Sequence, residues 1–459
     1  VLILADDMGY GDIRAYNPAS QIPTPHLDRV AAEGVRFTDM HAEASWCMPS
    51  RYALMTGRYA WRDGHAKGLP KKPSGHRIDK GAPTLATVLK ERGYRTACIG
   101  KWHLGMGERG AKHEVRKGVR IPMGPNDAGF DESYILHGSL DFGPYVFFEN
   151  QMPIATPTER IPERNWPNTR RAMGEYWHAS KGMPGWDFRQ VLPHLRDQAV
   201  GFVERQSARQ PFFLYFPLTA PHTPWMPTKE FPGRSGAGMY GDFVMQVDSV
   251  VGDVVRAIDQ AGFGKNTLIL FSSDNGAYWV AAEEKQFGHE ANGPLRGGKN
   301  DAWEGGHRMP FLARWPGRIP KGGTTAALLC FTDLLATFAT LAGQPLPAGH
   351  SAVDSHEASA AFFGKAGDRY AIRSTLSLVS GQKLWFRERD WKAISFLGSG
   401  GNTEPKKHRS KPGEPRGQLY HLGKDIGEEE NRYQSHPEIL KKLQQRRRDL
   451  FPNSPLGGI

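Results

Sequence analysis

Short apolar runs alternate with stretches of helical periodicity through the first three quarters of this chain, and that alternation is the strongest constraint on its fold. Val1–Ala5, Thr96–Ile99, Pro211–Leu218 and Thr267–Phe271 are apolar runs of strand length. Leu27, Val30 and Ala31, then Leu85, Val88 and Leu89, recur at helical spacing. So do Phe188, Val191, Leu192, Leu195, Ala199, Phe202 and Val203, and Val244, Val247, Val251 and Val254. Strands separated by crossover helices build a mostly parallel sheet covered on both faces. The expected class is therefore α/β, with a large mostly parallel central sheet and helices on both of its faces. Thr24-Pro25 is expected to cap a first helix that ends at Gly34, with a strand at Val35–Phe37. Pro193 is expected to delay the start of the Phe188–Val203 helix, because proline lacks the N–H that the helix interior needs.

The pattern changes twice. Between Leu104 and Gly185 Gly, Pro, Trp and charged residues dominate, which predicts long loops over the sheet, the usual place for substrate selection. From about Ala348 short strands appear at Leu384–Arg387 and Trp391–Ile394. A basic loop at Lys406–Arg416 and a helix near Pro437–Phe451 follow. The expected organisation is an α/β domain over 1–347 and a smaller C-terminal α+β domain over 348–459, with an antiparallel sheet and a terminal helix.

Composition narrows the function classes. In 459 residues, 39% hydrophobic and 23% charged content describe an ordinary globular protein, and no apolar run approaches membrane-spanning length. The chain opens on a strand, so a leader is expected outside it, and with the leader an exported location: periplasmic, extracellular or lysosome-like. Three cysteines make no disulfide framework; Cys98 and Cys330 lie in apolar runs and read as core. The net charge of +11 suits a polyanionic partner or solubility alone. Nucleic acid is disfavoured, since zinc-finger spacing, an RNA-binding aromatic signature and a long basic helix are all missing from the sequence. Oligomeric state is not legible in the sequence.

Polar residues cluster just past the C-terminal ends of the expected parallel strands, the edge at which open α/β sheets bind ligands. Asp6-Asp7 follows the first strand, Lys101-Trp102-His103 the second, Pro221-His222 the third and Asp274-Asn275 the fourth. Each could be a turn or cap by itself. Together Asp6, Asp7, Asp274 and Asn275 supply hard oxygen ligands, suited to calcium or magnesium rather than zinc. His103 and His222, with Lys101 and with Lys299 in Leu295-Arg296-Gly297-Gly298-Lys299, describe an oxyanion receptor able to move protons near neutral pH. His307 and Arg308, in Glu304-Gly305-Gly306-His307-Arg308, either join that receptor or simply support the loop.

The run Trp46-Cys47-Met48-Pro49-Ser50-Arg51, continuing to Thr56-Gly57-Arg58, has the form of a helix start, with Pro49 at the first helical position and Gly57 as the stop. Cys47 there would face free N–H groups and the positive end of a helix dipole. A buried, inert thiol is the alternative.

Cys-x-Pro-Ser-Arg followed by Thr-Gly-Arg resembles the activation motif of the type I, formylglycine-dependent sulfatases of the alkaline phosphatase superfamily. The resemblance extends over Asp6-Asp7-Met8-Gly9-Tyr10-Gly11-Asp12, Thr24-Pro25-His26-Leu27-Asp28, Gly100-Lys101-Trp102-His103-Leu104-Gly105, Ser273-Asp274-Asn275-Gly276, and the C-terminal Gln418–Leu422 and Asp425–Glu428. It implies a sulfuric ester hydrolase acting on a sulfated carbohydrate, with Cys47 oxidised to Cα-formylglycine, whose hydrate attacks sulfur. It further implies calcium on Asp6, Asp7, Asp274 and Asn275 with residue 47 near the ion, and Arg51 and Lys101 orienting the nucleophile. His222 and Lys299 would contact the sulfate, His222 protonating the departing alcohol, and His103 would take the proton whose removal expels sulfate and restores the aldehyde. A sulfated glycan and a formylglycine-generating or sulfatase-maturating enzyme are the implied partners. A phosphonate or phosphodiester hydrolase is the alternative activity, and a non-catalytic polyanion-binding homologue is another if residue 47 stays unmodified. Substrate choice falls to the loops His65–Pro73, Leu136–Asn150 and Arg160–Trp186. Within reach of them, His65, Lys67 and Trp102 are either pocket walls or structural residues.

Overall fold

The computed structural model describes the chain except residues 66–74, 112, 166–173, 347–351, 381–382 and 453–459. Lys67 and the expected domain boundary at 347/348 lie outside the described residues.

Seven strands carry the argument: β1 (Leu2–Asp6), β2 (Val35–His41), β3 (Arg95–Lys101), β4 (Glu132–Leu136), β5 (Phe212–Pro221), β6 (Ile269–Ser273) and β7 (Arg308–Arg314). They form the centre of an eleven-stranded sheet in the order β2-β7-β6-β1-β5-β3-β4. β6, β1, β5, β3 and β4 are mutually parallel, and β7 runs antiparallel to both β6 and β2. The mostly parallel sheet expected from the sequence is thus present. β4 was not expected; it lies inside the stretch read as loop, and in Glu132-Ser133-Tyr134-Ile135-Leu136 only Ile135 and Leu136 are aliphatic, so no apolar run marks it.

Alternation along β1 sorts the two cores. Ile3 and Ala5 face one layer, formed by helices α1 (Pro25–Ala32), α4 (Phe188–Glu204) and α5 (Gly238–Gln260), with Leu27, Leu195, Phe202 and Val251 among its buried residues. Leu2 and Leu4 face the other, which includes helices α2 (Cys47–Thr56) and α3 (Leu85–Lys90) and the Asp333–Leu341 helix through Leu54, Leu85 and Phe338. Burial of apolar surface on both faces, at about 25 cal/mol per Å², explains why these strands read as continuous hydrophobic runs. Cys98 and Cys330 are fully buried, as expected.

Two helix starts differ from the sequence reading. α4 begins at Phe188, ahead of Pro193: the Asp187 side chain accepts from the Arg189 N–H at 2.9 Å, and Phe188, Val191 and Leu192 are buried. That cap and the apolar burial offset the single hydrogen bond that proline removes. α1 is not capped by Thr24. Its free His26 and Leu27 N–H groups donate to Asp248 of α5, at 3.2 and 2.8 Å, so a carboxylate remote in sequence takes the role.

The C-terminal part is a four-stranded antiparallel meander of β8 (Thr375–Ser380), β9 (Lys383–Glu388), β10 (Trp391–Ile394) and β11 (Gln418–His421). Phe386, Ala393 and Leu419 pack under the Pro437–Leu450 helix through Leu440 and Leu443. On the opposite face Trp385, Leu378 and Tyr420 join Tyr59, Trp61, Trp303 and Cys330 of the main body. Buried ion pairs fasten the same face: Lys392 Nζ lies 2.9 Å from Glu304 Oε1, and Arg387 Nη2 lies 2.8 Å from Asp39 Oδ2. Among the described residues, no helix is long and apolar enough to cross a membrane.

Candidate active site

The strand register assembles the site. Ala5 of β1 pairs with Ser273 of β6, which sets Asp6 beside Asp274 just past the strand ends. On its other side β1 shifts register against β5 between Leu4 and Asp6, so Asp6 pairs with Pro221, next to His222. β3 approaches β5 closely at Gly100, which has φ of +127°; a Cβ there would sit 1.9 Å from the Pro217 carbonyl oxygen. Glycine is required by both constraints, and the next residue, Lys101, ends the strand at the same edge.

Cys47 is the first residue of α2, two residues earlier than the expectation that placed Pro49 first. Pro49 stands third, still within the turn whose N–H groups have no intrahelical partner, so it costs no hydrogen bond. Gly57 ends the helix in the left-handed conformation, as expected, its N–H reaching the Ala53 carbonyl. All ten residues of α2 are buried.

Around Cys47 the charged residues interlock. Its Sγ lies 3.5 Å from Asp6 Oδ1. Lys101 Nζ donates to both Asp6 oxygens, at 2.8 and 2.7 Å. Arg51 Nε donates to Asp274 Oδ2 and Nη1 to the Lys101 carbonyl, both at 2.8 Å. Lys299 Nζ lies 2.7 Å and His222 Nε2 3.6 Å from Asp7 Oδ2. His222 Nδ1 donates to the Thr223 carbonyl at 2.7 Å, which leaves Nε2 facing the site. Asn275 Nδ2 donates to Asp7 Oδ1 at 2.7 Å. Asp7 and His103 both have positive φ, 67° and 55°, strain of the kind that clusters at functional sites.

The electrostatics follow from burial and charge. Burial pushes the Cys47 thiol far above its usual range, with Asp274 adding to the effect, so a thiolate is strongly disfavoured. Burial would raise Asp6 too, but Lys101, His222 and Arg51 hold it well below the ordinary carboxylate range. Burial keeps Asp274 above that range although Arg51 pulls it down. His103 is held well below the usual imidazole value by burial and by the cations Lys101 and Arg51. Its Nδ1 is buried and unpartnered. A neutral imidazole with an unused nitrogen is a proton acceptor.

The donor set fits a hard divalent cation. One ligand atom each from Asp6, Asp7, Cys47 and His222 lies within 4.8 Å of the others. Asp274 borders this group through its 3.2 Å contact with the Asp7 N–H. Asn275 Oδ1 is buried with no hydrogen-bond partner; such an orphaned acceptor is costly, and a cation would satisfy it. Carboxylate and amide oxygens in this number match calcium or magnesium.

Every residue singled out from the motifs as catalytic or metal-ligating therefore reaches this one edge. Of the pocket-wall candidates, Trp102 and His65 make other contacts. Trp102 is fully buried, donates to the Gly105 carbonyl and stacks on His76. His65 packs edge-on against Tyr52 and bonds the Arg77 carbonyl. His307 and Arg308 belong to a separate buried network. His307 Nδ1 meets His41 Nδ1 at 3.0 Å, and Arg308 Nη1 lies 3.3 Å from Asp39 Oδ1. His41, Glu304 and His307 lie close enough together to ligate a cation, but Lys392, Arg387 and Arg308 already compensate the acids there.

Sequence reasoning missed the support beneath Asp7. Asp12 accepts from the Gly9 N–H and from the Tyr240 hydroxyl, and pairs with His289 Nε2 at 2.8 Å, all buried. Asp12 was visible as the last residue of Asp-Asp-Met-Gly-Tyr-Gly-Asp; its partners on α5 and in the 277–293 segment were not.

Known proteins share both the sequence pattern and the architecture. The sulfatase family model matches residues 1–344. An N-acetylgalactosamine-6-O-sulfatase of Bacteroides thetaiotaomicron is 32% identical, the alignment covering 96% of this chain and 91% of the relative. Human arylsulfatase A is 37% identical over 76% of this chain and 64% of its own length. A solved structure described under the metabolism of multiple glycosaminoglycans by Bacteroides thetaiotaomicron superposes with a TM-score of 0.84 at 30% identity, covering 98% of both chains. The family match, the full-length relatives and the shared fold agree: this chain belongs to the sulfatase family.

Proposed function

We propose that this enzyme hydrolyses the sulfate ester of a sulfated carbohydrate, with residue 47 matured to Cα-formylglycine and calcium held by Asp6, Asp7, Asp274 and Asn275. The observation that carries the reading is the convergence of three carboxylates, an unpartnered amide oxygen, three cations and His222 on the buried first turn of α2. A plain Cys47 is a poor nucleophile there, because its thiol stays protonated. When present, the formylglycine hydrate supplies the attacking oxygen and calcium polarises the sulfate.

The chain's own residues do the rest. Arg51 and Lys101, pinned on Asp274 and Asp6, orient residue 47. Lys299 and the Nε2 face of His222 border the position of the sulfate, neutralise its charge and protonate the departing alcohol oxygen at Nε2. His103, kept neutral by burial and its cationic neighbours, accepts a proton near residue 47. The relatives named as N-acetylgalactosamine-6-sulfatases make 6-sulfated N-acetylgalactosamine the first substrate to assay. A polymeric substrate places the working enzyme outside the cytosol, after a formylglycine-generating or sulfatase-maturating enzyme has acted on the nascent chain.

The test pairs kinetics with mass analysis of the peptide that contains residue 47. The matured protein is expected to release sulfate from the sugar and to prefer it over a matched phosphodiester. Cys47→Ala and His222→Ala should lose turnover, on the order of 10²-fold or more, with an unchanged fold. Preference for the phosphodiester, or wild-type rates from either variant, would reject the assignment.

A further inference from the structure

The loop that carries Lys299 is held from outside by the C-terminal sheet's 399–403 turn. Asn402 Nδ2 donates to the Lys299 carbonyl at 2.9 Å. Asp301 Oδ1 accepts the Asn402 and Thr403 N–H groups at 2.7 and 3.2 Å, and its Oδ2 accepts the Thr403 hydroxyl at 2.5 Å. The Ala302 N–H donates to the Ser399 carbonyl at 2.9 Å. Gly401 is pressed so closely on Asn300 that a Cβ would lie 2.3 Å from its carbonyl oxygen.

Basic side chains converge on that turn. Lys383, the first residue of β9, passes over Gly400, where a Cβ would lie 2.9 Å from Lys383 Cδ. The Gly400 N–H donates to the Lys406 carbonyl at 3.0 Å, which brings the next residue, Lys407, to the same place. Partial burial and the neighbouring Lys407 ammonium both lower the pKa of Lys383, against the opposing pull of Asp301. Lys406 and His408 in this loop have acidic partners, Glu404 and Glu414. Among the described residues, Lys383 and Lys407 have no ion pair. Two lysines thus meet at the turn that holds the Lys299 loop, with the buried Asp301 as their opposing charge, and an anionic group there would relieve their mutual repulsion. Lys299 itself keeps partial exposure.

We propose that Lys383 and Lys407 form a cation subsite beside the active site that takes an anionic group, carboxylate or sulfate, on the sugar adjoining the one being desulfated. The proposal rests on the reading of the chain as a carbohydrate sulfatase and adds to it a preference for charged oligosaccharides over isolated monosaccharides. Neither lysine touches the reacting atoms, so the subsite acts on binding and not on the chemical step.

The experiment compares wild type with Lys383→Ala/Lys407→Ala and with Lys383→Arg/Lys407→Arg. Substrates are a 6-sulfated N-acetylgalactosamine monosaccharide and three disaccharides of it, in which the neighbouring sugar carries a carboxylate, a sulfate or no charge. The double alanine variant should raise KM about tenfold for whichever charged neighbour the subsite accepts, in a salt-dependent manner, with kcat unchanged. The monosaccharide and the neutral disaccharide should be unaffected, and the arginine variant should restore the low KM. A KM change equal for all four substrates, or none for any, overturns the subsite. Calorimetric binding of the same sugars to the Cys47→Ala protein, with and without the lysine substitutions, keeps the two readings apart. Loss of charged-disaccharide binding on substitution supports the subsite even if turnover fails, whereas unaltered binding rejects it even if the enzyme is an active sulfatase.

Discussion

Lys101 Nζ bridges the two carboxylate oxygens of Asp6, at 2.8 and 2.7 Å, with both side chains fully buried. The two residues end strands β3 and β1, which are separated in the sheet by β5. The contact ties the base of the site across three strands. Lys101→Ala should leave Asp6 with the 3.5 Å contact from the Cys47 thiol and the 3.6 Å contact to Arg51 as its one remaining cation contact. Breaking one side of a buried pair costs about 3–5 kcal/mol, so denaturant unfolding of the metal-free protein should show a loss of that order. The Asp6→Ala/Lys101→Ala double variant should lose less than the sum of the single losses.

Asp7 and Asn275 offer a direct test of the cation. Asp7→Asn removes a charge, and Asn275→Ala removes the unpartnered oxygen. Each should weaken calcium binding by about tenfold or more, measured calorimetrically on the Cys47→Ala protein so that turnover plays no part. Chelation should lower the wild-type melting temperature, and added calcium should restore it.

Asp248 predicts an alkaline weakening of the fold. Burial raises its carboxyl to about 7, against the two N–H groups of α1 that favour the charged form. A folded-state pKa above the unfolded one gives stability that is full below the unfolded value and is lost as pH rises through the folded value. Between pH 5 and 7.5 the wild type should therefore lose on the order of 2–3 kcal/mol from this group. Asp248→Asn should flatten that part of the stability–pH curve, as read by urea unfolding at both pH values.

His76 predicts a change of the opposite sign in acid. Burial lowers its imidazole to about 4, and the ring donates from Nδ1 to the Ile78 carbonyl while stacking on Trp102. A depressed folded pKa gives stability that is present above the unfolded value, near 6.5, and is lost as pH falls through the folded value. Unfolding midpoints should fall between pH 6.5 and 4, and His76→Phe should reduce the slope.

Lys392 anchors the C-terminal sheet, with Glu304 at 2.9 Å and Glu428 at 2.8 Å, all buried. Lys392→Met should cost about 3–5 kcal/mol. Because Glu304 opens the helix next to the Lys299 loop, proteolysis should cut first at the junction of the small sheet and the main body.

The sequence by itself determined the element types and the edge at which they present polar groups. The reason is that strand and helix periodicities are local, and a parallel strand's C-terminal end is fixed by its own direction. Asp6, Lys101, His222 and Asp274 could each be placed at that edge from the run that precedes it. The tertiary structure decided which charges meet. Asp248 rather than Thr24 caps α1, because α5 packs across its first turn. Pro193 sits inside α4 because Asp187 and a buried Phe188 outweigh one missing hydrogen bond. Asp12 finds Tyr240 and His289 more than two hundred residues away. Lys383 reaches the turn that clamps Lys299 only because the small sheet docks on the main body through Trp385, Trp303 and the buried ion pairs. Such pairings depend on packing between elements distant in sequence, and no local pattern records them.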